Sequence, residues 1–153
     1  MLFVYKEYTK CIFIERKTVM ESNKFSQVVF EEVKSIAKEY DIVFSNENDI
    51  EKCREEFSDK LYWSRISMYQ KLSEEFIREF SDKVNWNYIS TYQKLSEGFI
   101  REFSDKVDWE WISTYQKLSE EFIREFSNKV NWKYISKYQK LSEEFIREFA
   151  EVS

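Results

Sequence analysis

The sequence predicts a mainly α-helical protein, in which an αα-solenoid of four two-helix repeats follows a small α+β unit. A nearly identical block recurs every 23 residues, and such a period is typical of repeat architectures. The chain has no proline and only one glycine, so it suits helices joined by short connections. Apolar residues recur at helical spacing within each block. The four repeats, numbered 1 to 4, cover residues 57–79, 80–102, 103–125 and 126–148.

Each repeat contains two predicted helices. In repeat 2 the first helix covers 86–94, with Asn85 as its N-cap, and the second covers 97–107, with Ser96 as its N-cap. Neither helix is long enough to persist alone in water. Packing against neighbouring repeats must therefore stabilise the array.

The second helix has one predicted apolar face and one charged face. In the second helix that begins in repeat 1, Phe76, Phe80 and Val84 follow at i, i+4 and i+8, which places them in one stripe. Glu74 and Arg78 are four residues apart with the acid first, an order that favours an ion pair within the helix.

Residues 1–44 do not share the repeat and predict a ββαβ unit that caps the array. Two runs rich in β-branched and aromatic residues, 2–8 and 11–19, have the composition of strands. A helix is predicted over 26–40, with Ser26 as N-cap and Val28, Val29, Val33, Ile36 and Ala37 on its apolar face. A short third strand is predicted over 41–44.

Residues 45–56 predict a degenerate half-repeat, after which the helical repeat array covers 57–153. The basis is the alignment of residues 51–57 with residues 74–80, where repeat 1 passes into repeat 2. In this alignment Cys53 takes the position of a phenylalanine.

The composition argues against catalysis and metal binding. There is no histidine, the commonest general base and metal ligand, and one glycine allows no glycine-rich phosphate-binding loop. Cys11 and Cys53 lack the spacing of a metal or redox site and are interpreted as small apolar side chains. Acid pairs such as Glu74-Glu75 stand at helix starts, where the helix dipole explains them. We predict a non-enzymatic protein with no cofactor and no metal.

The net charge of −5 argues against a nucleic-acid binder that neutralises phosphates. The repeated tryptophans and tyrosines could stack on single-stranded bases, but their helical spacing favours core packing. We therefore do not expect direct nucleic-acid binding. No run approaches the roughly 18 apolar residues of a membrane span, and no signal peptide is recognisable at the start. We expect a cytoplasmic protein without membrane association.

The four repeats differ mainly at two slots of the first helix, which lie four residues apart on one helix face. We call these residues the variable strip: Ser64, Met68, Asn87, Thr91, Glu110, Thr114, Lys133 and Lys137. One interpretation is free drift at exposed positions. The other is a partner-binding surface adjusted repeat by repeat, since solenoids present extended binding faces.

The repeat motif is Lys-Val-Asn-Trp-x-x-Ile-Ser-x-Tyr-Gln-x-Leu-Ser-Glu-x-Phe-Ile-Arg-Glu-Phe. Over about residues 57–150 it resembles short tandem repeats of giant viruses, phages and some bacteria, whose proteins are mostly of unassigned function. The resemblance implies a viral or microbial intracellular setting and brings no catalytic residues.

Two functional hypotheses follow. The first is a protein–protein interaction module that binds a protein partner of unknown identity through the variable strip. The alternative is a phage or viral counter-defence inhibitor, similar to an anti-CRISPR protein, whose acidic surface blocks a basic nucleic-acid-binding groove.

Overall fold

The structure is a computed structural model that describes residues 27–149. These residues form helices and no strands, and the helix pairs follow one another in a regular repeated pattern. The predicted mainly helical repeat architecture is therefore confirmed for this part of the chain. The predicted strands over 2–8 and 11–19 lie outside the described residues. Two compact units can be distinguished, the first ending at Leu61 and the second beginning at Tyr62.

The first unit contains helix α1, described over residues 27–39. Val29, Val33 and Ile36 are buried, as their spacing predicts. Val28 is exposed, so its predicted place on the apolar face is wrong. It lies one residue, or about 100° around the helix, from Val29 and points away from the buried side.

Helix α1 ends in a left-handed turn. Asp41 has φ 54°, and the Ile42 N–H donates to the Ala37 carbonyl at 2.8 Å. This is the arrangement that closes many helices at their C-terminus. The predicted third strand over 41–44 is therefore wrong, because Asp41 has a left-handed φ and 42–44 have no regular secondary structure.

Helix α2, Ile50–Lys60, carries the half-repeat sequence. The Asp49 side chain caps it by accepting a hydrogen bond from the Lys52 N–H at 3.1 Å. Cys53 is fully buried, and this burial raises the pKa of its thiol. The small apolar role predicted for this residue agrees with that environment.

In the second unit two series of helices alternate. The first helices of repeats 1 to 4 are α3 Trp63–Tyr69, α5 Trp86–Tyr92, α7 Trp109–Tyr115 and α9 Trp132–Tyr138. The second helices are α4 Glu74–Glu79, α6 Glu97–Glu102, α8 Glu120–Glu125 and α10 Glu143–Phe149. No helix within residues 27–149 has the length and apolar character to cross a membrane.

Both helices of a repeat are shorter than predicted. Helix α5 ends at Tyr92 instead of Lys94, because the chain becomes extended at Gln93. Helix α6 ends at Glu102 instead of Val107. The Ser104 carbonyl leaves the helical hydrogen-bond pattern and accepts from Trp109 Nε1 at 3.0 Å.

The predicted caps and apolar stripe are largely confirmed. The Asn85 side chain accepts from Tyr88 N–H, and the Ser96 hydroxyl accepts from Phe99 N–H, each at 3.2 Å. Asn131, at the equivalent position of repeat 4, makes no side-chain cap bond. The stripe residues Phe76, Phe80 and Val84 are all buried.

The first helices stack in order, each contacting the next. A buried serine joins each pair: Ser67 Oγ accepts from the Asn85 N–H at 3.0 Å. The equivalent bonds join Ser90 to Asp108 and Ser113 to Asn131, each at 2.9 Å. The recurring serine thus accepts a hydrogen bond from the backbone N–H of the N-cap residue of the next first helix.

A buried glutamine forms a second connection between repeats. Gln93 Oε1 accepts from Leu72 N–H at 3.0 Å, while its Nε2 donates to the carbonyls of Ser67 and Gln70 at 3.0 and 2.7 Å. The Ser67 carbonyl lies in the last turn of α3, where a helix has no internal donor to offer. Gln116 and Gln139 make the same three bonds to the repeat before them.

Candidate partner-binding surface

The outward face of α3, α5, α7 and α9 is the candidate surface. In α5, Ile89, Ser90 and the adjoining Gln93 are buried against neighbouring repeats. Helical geometry therefore turns residues 87, 88, 91 and 92 outward. The face repeats along the array because the four helices stack in register.

The structure places the whole variable strip on this face. Ser64, Asn87, Glu110, Lys133 and Lys137 are exposed, while Met68, Thr91 and Thr114 are half-buried. The threonine hydroxyls turn back to their own helices: Thr91 Oγ1 donates to the Asn87 carbonyl at 2.7 Å, and Thr114 Oγ1 donates to that of Glu110 at 2.8 Å. The two variable positions, four residues apart, therefore lie next to each other on the first helix of each repeat.

A row of exposed tyrosines runs beside the variable strip. These residues, which we call the tyrosine row, are Tyr69, Tyr92, Tyr115 and Tyr138, with exposed fractions of 71%, 55%, 58% and 49%. The prediction that the tyrosines belong to the core is wrong for this slot. The tryptophans differ, because Trp86 is half-buried and its ring centroid lies 5.0 Å from that of Phe103.

Three of the four tyrosines rest on a second aromatic ring of the same helix. The ring-centroid distances are 6.1 Å for Tyr88–Tyr92, 5.9 Å for Trp111–Tyr115 and 6.1 Å for Tyr134–Tyr138. These separations fall in the range of favourable aromatic pairs. The second rings are half-buried, so they hold the exposed tyrosines against a packed surface.

The variable strip and the tyrosine row meet in a cleft between repeats 1 and 2. It measures about 350 Å³, and its lining includes Met68, Tyr69, Lys71, Tyr92 and Lys94. The cleft therefore combines a thioether, two phenol rings and two ammonium groups. Such a surface can hold an apolar side chain and hydrogen-bond the polar groups around it.

Charge is distributed unevenly along the strip. Tyr134 OH donates to Glu110 Oε1 at 3.2 Å, and the negative charge of Glu110 raises the pKa of Tyr134. Lys137 lies 4.9 Å from the Tyr138 ring, and a hydrogen bond with that phenol raises the pKa of the ammonium. Lys133 and Lys137 therefore make this edge of repeat 4 cationic.

Sequence reasoning missed the tyrosine row, although a signal was present. A tyrosine occupies the position of Tyr92 in every repeat, and this position lies on a different helix face from Trp86, Ile89 and Ser90. A recurring aromatic residue away from the buried stripe marks an exposed feature.

No group of three histidine, cysteine, aspartate or glutamate residues within 27–149 is arranged to hold a metal ion. Comparison with protein-family models, curated proteins and solved structures finds no match to this chain. The functional proposal therefore depends on the geometry described above.

Proposed function

We propose that this chain is a non-enzymatic protein-interaction module, and that the tyrosine row and the variable strip form its contact surface. The observation that carries the proposal is the line of four tyrosines, each about half exposed or more, on stacked helices. Large aromatic patches left in solvent mark interaction sites in soluble proteins.

The two parts of the surface suit different tasks. Tyrosine supplies a large apolar ring and a hydroxyl at low cost in side-chain entropy, and it is enriched among residues that dominate binding energy. The same tyrosine in every repeat can supply affinity. The changing neighbours, such as Asn87, Glu110 and Lys133, can supply specificity.

The charge-mimic alternative has less support. It requires carboxylates that are free to meet a basic groove, whereas six glutamates of the array are bonded within it. Glu74, Glu97 and Glu120 accept from serines, and Glu102, Glu125 and Glu148 pair with arginines. Weak dependence of partner binding on salt would further favour the tyrosine surface over mimicry.

The test compares variants of the immobilised chain in one extract of its source cells, with retained proteins identified by mass spectrometry. The Tyr92→Ser, Tyr115→Ser double variant and the Glu110→Lys variant should each lose the partner while keeping the wild-type far-UV circular dichroism. Glu121→Lys, an exposed charge reversal on α8, is the matched control and should retain it. Retention of the same partner by every variant would refute the proposal.

A further inference from the structure

Positive side chains border the cleft between repeats 1 and 2. Lys71 and Lys94 line this cleft, and both are exposed. The backbone is extended at Gln93, and Gln93 and Leu95 are buried on either side of Lys94. Because successive side chains of an extended segment point to opposite sides, Lys94 is directed to solvent. Lys71 has the same place in repeat 1, so each of the two repeats brings one ammonium group to the cleft.

Arg65 adds a third positive charge beside the cleft. It is exposed and lies four residues before Tyr69 in α3, so the two side chains are neighbours on the helix surface. The later repeats have Tyr88, Trp111 and Tyr134 at this position. The arginine therefore distinguishes repeat 1, and its guanidinium offers paired N–H donors that match the two oxygens of a carboxylate.

These three cations are not neutralised locally. None of their side chains makes a hydrogen bond or an ion pair within residues 27–149. The arginines of the second helices differ, since Arg78 lies 2.8 Å from Glu102 and 3.8 Å from Glu74, its predicted partner within the helix. The adjoining members of the variable strip are uncharged: Ser64, Met68, Asn87 and Thr91. Unpaired cations and two phenol rings thus surround a cleft whose lining residues include no acid.

Repeat 3 limits this positive region. Glu110 takes the position of Asn87 there, is exposed, and accepts a hydrogen bond from Tyr134 OH at 3.2 Å. A carboxylate at this position repels a negatively charged ligand. The region that favours an anion therefore consists of repeats 1 and 2, and repeat 3 separates it from the lysines of repeat 4.

We propose that the outward face of repeats 1 and 2 binds an acidic, extended segment of a partner protein. Carboxylates of this segment would pair with Arg65, Lys71 and Lys94, and an apolar side chain between them would enter the cleft beside Tyr69 and Tyr92. Exposed ion pairs contribute little individually, so the phenol rings supply most of the affinity and the cations select for carboxylates. This inference rests on the proposed function and names the chemistry of its partner.

The spacing of the repeats suits such a segment. Helices in contact lie about 8–10 Å apart. A polyproline II chain returns every third side chain to the same side and advances about 9 Å per turn. An acidic residue at every third position can therefore meet successive repeats.

A peptide fits this surface better than a strand of nucleic acid. A strand carries a negative charge on every nucleotide, and both Glu110 and the net charge of −5 oppose a continuous line of phosphates. A peptide can place carboxylates opposite the three cations and an uncharged residue opposite Glu110.

The experiment uses the full chain and a fluorescent, end-capped peptide of three Glu-Leu-Pro units. Saturable binding is expected by fluorescence anisotropy. The double variant Lys71→Glu, Lys94→Glu should keep the wild-type far-UV circular dichroism and bind at least about tenfold more weakly, because attraction becomes repulsion at two positions. A peptide of three Gln-Leu-Pro units should bind the unaltered chain with a similar loss. Lys117→Glu, the same change at the same position of repeat 3, is the matched control and should bind the acidic peptide normally.

Three results would overturn the proposal. The first is no saturable binding of the acidic peptide up to about 1 mM, or equal affinity for the acidic and neutral peptides. The second is equal weakening by Lys117→Glu, because negative charge anywhere on the array would then explain the loss. The third is tighter binding of a nine-nucleotide oligouridylate that the double variant abolishes, because the preferred anion would then be phosphate.

The extract experiment separates this inference from the proposed function. The variant Lys71→Glu, Lys94→Glu should lose the same partner as the variant Tyr92→Ser, Tyr115→Ser. If the lysine variant keeps a partner that the tyrosine variant loses, the tyrosine surface stands and the acidic segment is refuted. If both variants keep the partner, the proposed function fails as well.

Discussion

The buried glutamines make a quantitative prediction about the junctions between repeats. Gln116 is 5% exposed, and its side chain accepts from Leu95 N–H and donates to the carbonyls of Ser90 and Gln93. Gln116→Leu keeps nearly the same volume but removes all three bonds. At about 1 kcal/mol for each bond, with an added cost for a buried N–H left unpaired, the loss is about 3–5 kcal/mol.

The assay is urea unfolding followed by far-UV circular dichroism. A loss of about 3 kcal/mol lowers the midpoint by at least about 1 M at the usual urea dependence. Thr114→Ala, two residues before Gln116 in α7, is the control, because the Thr114 hydroxyl bonds the Glu110 carbonyl of its own helix. It should change stability by less than about 0.5 kcal/mol. A Gln116→Leu midpoint no lower than that of Thr114→Ala would refute the role assigned to the glutamines.

One further prediction compares two isoleucines at the same position of different repeats, and another concerns the dependence of stability on pH. Ile123→Ala should cost about 2–5 kcal/mol, whereas Ile146→Ala in the same slot should cost about half as much or less, since its side chain is already half in solvent. Equal urea midpoints for the two variants would contradict the difference in burial between Ile123 and Ile146. The hydrogen bond with Arg101 lowers the pKa of Glu125 from its ordinary value of 4.5, so its contribution to stability is present above that pH and is lost as pH falls through the lowered pKa. The urea midpoint of the wild-type chain should therefore fall as the pH is lowered from neutral to about 3. The fall should be smaller in Glu125→Gln, and identical pH profiles for the two proteins would argue against a contribution of the Arg101–Glu125 pair.

At the candidate surface, the sequence pattern predicts the variable strip correctly and the tyrosine row incorrectly. The spacing of Asn87 and Thr91 alone predicts that they share one helix face, and the structure confirms this placement. The helical spacing of the recurring aromatic residues predicts that Tyr92 belongs to the core. The structure leaves it 55% exposed, because the neighbouring helices of the array cover the side that carries Ile89 and Ser90.

Features that depend on a few neighbouring residues could be derived from the sequence: the 23-residue period, the paired helices, the serine caps and the buried phenylalanine stripe. Capping and helical periodicity act within one or two turns, so local pattern is sufficient for them. The bonds of Gln93 to Ser67 and of Arg78 to Glu102 span 26 and 24 residues. These bonds form because each repeat packs against one particular side of its neighbour. That side is determined by packing in three dimensions and not by the local sequence. The same packing leaves Tyr92 facing solvent, because no described neighbour covers it.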